Sequence, residues 1–155
     1  MRSSTGLGIL FSALVISATV LSASAAPGDA CALLTTQQAA VATGVAMGAG
    51  AHVTPTFVKT CTWVSAGDNP HEIATLSFLD PQAFAAGRVP MVKSITVTPA
   101  SGIGDGAYYV VVGSLVTLMV KKGNVVLKAA LYAEIPLDKI KAIEKAMALQ
   151  ALNKI

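Results

Sequence analysis

The chain has 155 residues, 54% of them hydrophobic and 12% charged, with 11 basic and 8 acidic side chains for a net charge of +3. This length suits one domain with a real core, and so apolar a composition excludes a disordered chain. Nucleic acid is excluded as a partner too: beyond residue 25 Arg88 is the only arginine, whereas such binders need a clustered basic face and aromatic platforms.

Residues 1–25 read as a signal peptide. Arg2 precedes an apolar run from Gly6 to Leu21, and Ala23-Ser24-Ala25 offers the small residues of a cleavage site. Cleavage after Ala25 is favoured, since cutting after Ala26 would place the Pro27 ring at the scissile bond. A lipid anchor needs a cysteine immediately after the signal, and here Pro27, Gly28, Asp29 and Ala30 stand before Cys31. The expectation is a single exported domain over residues 26–155, periplasmic or extracellular, with no membrane span after cleavage. In such an oxidising compartment Cys31 and Cys61 are expected to form a disulfide. A redox couple would instead call for Cys-x-x-Cys at a helix start.

Thr35-Thr36-Gln37-Gln38 has the form of a capping box and predicts a helix that Gly44 closes. Residues 44–56 read as a loop with a short edge strand within 45–53. Phe57 to Val64 is predicted as a strand with Phe57, Lys59, Cys61 and Trp63 on one face, covered by helices. The Gly67-Asp68-Asn69-Pro70 turn leads to a strand over 72–79. Asp80 and Pro81 then cap and open a short helix to Gly87. A strand at 94–98 and a glycine-rich loop to Gly106 precede a meander over 107–112, 115–121 and 125–133. Its turns are Gly113-Ser114, suited to type II′, and Lys122-Gly123-Asn124. The meander is apolar at nearly every position, so both of its faces need covering. The last helix, over 136–154, puts Leu137, Ile140, Ile143, Met147 and Ala151 on one face and leaves Lys139, Lys141, Glu144 and Lys145 off it. The whole predicts an α+β fold: an antiparallel sheet of about five strands, with the amino- and carboxy-terminal helices packed on one face and one disulfide.

Little in the chain carries recognisable chemistry. His52 and His71 are the only histidines, and zinc wants three or four converging ligands, so no metal site and no cofactor are assigned. Gly102-x-Gly104-x-Gly106 has the look of a phosphate loop, but a strand follows it instead of a helix whose amino terminus would hold the anion. Gly104, Asp105, Tyr108 and Tyr109 nonetheless form the densest polar and aromatic cluster. They are the candidate ligand edge, with one of the two adjacent tyrosines expected to be exposed.

The run Cys31-x-Leu33-Leu34-Thr35, then Cys61-Thr62-Trp63, then Gly102-x-Gly104-Asp105-x-Ala107-Tyr108, resembles a group of small bacterial secreted and lipoprotein domains of unknown function. The likeness spans residues 31 to the last helix, and the chain departs from the lipoprotein members in lacking the lipid-attachment cysteine. It implies an exported α+β domain with a helix-to-strand disulfide, and brings no established activity. The expected function is a non-enzymatic binding or accessory module of the cell envelope, whose partner is an envelope protein, with a homodimer also in view. One alternative is a carrier of an apolar small molecule, with Met47, Met91 and Met119 lining an adaptable cavity. The other is a small hydrolase using Asp105 or His71.

Overall fold

Thr35 accepts from the Gln38 amide and the Gln38 side chain accepts from the Thr35 amide, so the capping box forms and opens helix α1 (Thr36–Thr43). Gly44, at φ +79°, closes it in the left-handed conformation that only glycine adopts without strain. The computed structural model describes residues 28–67 and 71–155. The expected signal peptide at 1–25, and Asp68 to Pro70 of the first turn cluster, lie outside the described residues. Before α1, Asp29 caps a short 3-10 turn at Ala30–Ala32, accepting from the Cys31 amide at 2.8 Å.

Seven strands, not five, form one antiparallel sheet in the order β1-β2-β3-β7-β6-β5-β4. They are β1 (Ala51–His52), β2 (Thr60–Val64), β3 (Ile73–Leu79), β4 (Ile95–Ala100), β5 (Gly106–Val112), β6 (Leu115–Lys122) and β7 (Val125–Tyr132). The edge strand foreseen in 45–53 is only two residues long, aided by a bridge between Met47 and Ser65. Strand β2 starts at Thr60, so Phe57 and Lys59 fall before it and are exposed, while Cys61 and Trp63 keep the buried face. Both meander turns place a glycine at positive φ, Gly113 at +59° and Gly123 at +56°, each followed by a residue at ordinary φ, as type II′ demands.

Helix α3 (Leu137–Leu152) packs with α1 on one face of the sheet. Under them lies the main core, including Trp63, Leu76, Leu118, Leu127 and Leu131 around the disulfide between Cys31 and Cys61. The face of α3 is rotated from the expected one: Ile140, Glu144, Met147, Ala148 and Ala151 are buried, while Leu137 is partly exposed. Glu144 faces inward because β6 and β7 part beyond the Thr117–Ala130 pair, and its Oε1 accepts the freed Leu131 amide at 3.0 Å.

The second face of the sheet is partly covered by the chain itself. From β3 the chain crosses that face as α2 (Pro81–Ala86), with Asp80 accepting from the Gln82 amide, before β4 forms the far edge. Phe84 seals a second cluster with Tyr108, Met119 and Val126. No described helix is long and apolar enough to cross a membrane.

Candidate functional site

The four residues of the glycine-rich cluster each have a partner inside the fold. A side chain at Gly104 (φ +58°) would run into the Lys121 carbonyl, so only glycine fits. The neighbouring Asp105 accepts from the Gly123 amide at 2.6 Å, which ties this loop to the β6–β7 turn. Tyr108 points under α2 and donates to the Phe84 carbonyl at 2.7 Å, its ring 5.0 Å from that of Phe84 and 5.6 Å from the Arg88 guanidinium. Tyr109 points the other way, beneath α3, and donates to the Lys141 carbonyl at 3.0 Å. Burial raises the pKa of both, so the hydroxyls stay protonated donors. Both rings are therefore buried, against the expectation that one would be exposed. The pleat sends them to opposite layers, and each layer has its own helix.

A different constellation forms at the disulfide. His52 lies directly across from Cys61 in the β1–β2 register, and its Nε2 is 2.7 Å from Asp29 Oδ1. The hydrogen bond with His52 and then the Cys31 amide hold the Asp29 carboxyl below its usual range. Ligand atoms of Asp29, Cys31 and His52, one from each, lie within 4.8 Å of one another. The sequence held the signal in two steps: the disulfide brings residue 31 to 61, and pairing of 51–52 with 61–62 brings His52 to the same point. Without that two-residue strand the pair is invisible. Among the described residues His52 is the one histidine whose ring is hydrogen-bonded, and its partner is a carboxylate; no hydroxyl completes a catalytic triad.

An apolar strip lies at one end of the second face. Register partners Val64, Ile73 and Tyr132 lie on one side of the parted β6–β7 seam, and register partners Leu115, Val112 and Ile95 lie on the other. Ile73, Tyr132 and Leu115 line one depression. Leu115 is 49% and Tyr132 45% exposed. At Ile95 the strip meets a groove of about 350 Å³ whose walls include Ala83, Val89, Pro90, Met91 and Val110. Val89 is 70% and Met91 92% exposed, with Arg88 and Lys93 on either side in sequence. Met47 is buried in the main core and Met119 in the second cluster, so the three methionines line no common cavity.

Comparison of the chain with family models, with curated proteins and with solved structures found no match. The functional reading rests on the chain's own geometry.

Proposed function

We propose that the protein is an exported, non-enzymatic binding module of the cell envelope and that the apolar strip from Val64 to Ile95, with Val89 and Met91, holds an envelope protein. The observation that carries this reading is that two apolar rows face one depression across the parted seam. Scattered exposed apolar side chains are ordinary, whereas two rows that meet at one depression and run into an apolar groove mark a contact surface. The disulfide is compatible with export, and the sequence resemblance points to the same compartment. Carriage of a small apolar molecule is the second reading, favoured by the groove beside Met91.

Site-specific photo-crosslinking in intact cells tests it. A photoreactive side chain at position 91 or 115 is expected to give a discrete protein adduct, and one at Val41, 66% exposed on α1, is expected to give none. Equal, sparse labelling at all three positions would overturn the reading. Adducts with lipid-sized molecules alone, at position 91, would favour the carrier.

A further inference from the structure

We propose that the reduced form of this chain holds a thiophilic divalent cation, zinc foremost, between Cys31, Cys61, His52 and Asp29. In the oxidised form the two sulfurs are bonded to each other and make poor ligands. Three of the donors are already gathered: the Asp29, Cys31 and His52 ligand atoms lie within 4.8 Å of one another, and Cys61 adjoins this group through its bond to Cys31. Two thiolates, an imidazole and a carboxylate are a tetrahedral zinc set, and the thiolates select against magnesium and calcium. A single zinc ion with Zn–S bonds of about 2.3 Å needs its two sulfurs nearly 4 Å apart. Breaking the disulfide and letting the sulfurs part to non-bonded contact supplies that spacing.

The surroundings suit an ion that comes and goes. Cys61 is buried and forms the floor, while Cys31, Asp29 and His52 are half-buried and form a mouth open to water. The donors come from the strand pair β1–β2 and the strap before α1, with the Cys31 and Cys61 Cα atoms 4.9 Å apart. An ion bridging them would close the same loop that the disulfide closes. The redox step balances with a dithiol as reductant. Its first thiolate attacks Sγ of Cys31, the less buried of the two cysteines, and expels the Cys61 thiolate; its second thiolate closes a cyclic disulfide and releases Cys31. Two electrons pass to the protein's sulfurs, which take up two protons, and the incoming cation displaces those two protons. Oxidation would expel the cation, so the thiol state sets metal occupancy.

The test uses the full-length protein, reduced with a phosphine and titrated with Co²⁺ as the spectroscopic probe. One Co²⁺ per chain is expected, with the thiolate-to-cobalt band and intense visible bands of a tetrahedral site, displaced by Zn²⁺ and absent before reduction. Asp29→Asn with His52→Gln is expected to leave the oxidised fold intact and to weaken Co²⁺ binding at least tenfold, and Cys31→Ser with Cys61→Ser is expected to abolish the thiolate band. Where reduction alone unfolds the chain, Zn²⁺ is expected to restore the native Trp63 emission. A reduced protein that binds no Co²⁺, that binds it equally well without Asp29 and His52, or that zinc fails to refold would overturn the proposal.

Discussion

Glu144 is a carboxyl group with no access to water, one oxygen on the Leu131 amide and the other without a partner. Burial pushes its pKa up to about 8, against the pull of the Leu131 amide. In the unfolded chain it titrates near 4.5. Between those values the native state keeps a proton that the unfolded state has lost, so stability declines as pH rises from about 4.5 to about 8 and then levels off. The slope is at most about 1.4 kcal/mol per pH unit. Urea unfolding across this range is the measurement, and Glu144→Gln is expected to flatten that part of the profile. Gly50 is the second sensitive residue: an added Cβ would sit 2.7 Å from Trp63 Nε1 and 2.8 Å from Cys61 Sγ. Gly50→Ala is therefore expected to cost about 1–3 kcal/mol in chemical denaturation. Trp63 itself is fully buried. Its native emission is expected to be blue-shifted, and Trp63→Ala to cost roughly 3–5 kcal/mol.

Helix α2 matters more than its six residues suggest, because Phe84 is what closes the second cluster over Tyr108, Met119 and Val126. Phe84→Ala is expected to cost about 3–5 kcal/mol and to raise binding of a hydrophobic dye, whereas Tyr108→Phe, losing one hydrogen bond, is expected to cost about 1 kcal/mol. Dye binding unchanged by Phe84→Ala would mean that α2 shields little of that face. The cap and turn signals were readable in the sequence because each is local: Thr35 with Gln38, Asp80 with Pro81, Gly113 and Gly123. The reach of α2 was not readable, since six residues show no periodicity and nothing local says which face the crossover takes. Glu144 was misplaced for a related reason. Its polarity argued for water, and only the parting of β6 from β7 creates the amide that draws it inward. The pairing of Asp29 with His52 escaped because it depends on a disulfide and a two-residue strand acting together.

At the scale of the whole molecule the amino-terminal strap is held three ways: by the disulfide, by Asp29 on His52, and by Lys154 Nζ donating to the Ala32 carbonyl at 3.0 Å. The disulfide closes a loop with a sequence separation of 30. Reducing it is expected to lower stability by about 3–4 kcal/mol on the chain-entropy account, measured by unfolding with and without phosphine in metal-free buffer. Sheet order carries a further consequence, one of timing. Strand β3 sits between β2 and β7, and the face shared by β7 and β6 is roofed by α3. Of the six strand pairs only β3–β7 joins strands far apart along the chain, and that one non-local pairing is the slow step in assembling the sheet. No amino-terminal portion can complete the core by itself. A polypeptide emerging from its amino end stays open and threadable until residues 137–152 arrive, and then closes as a unit.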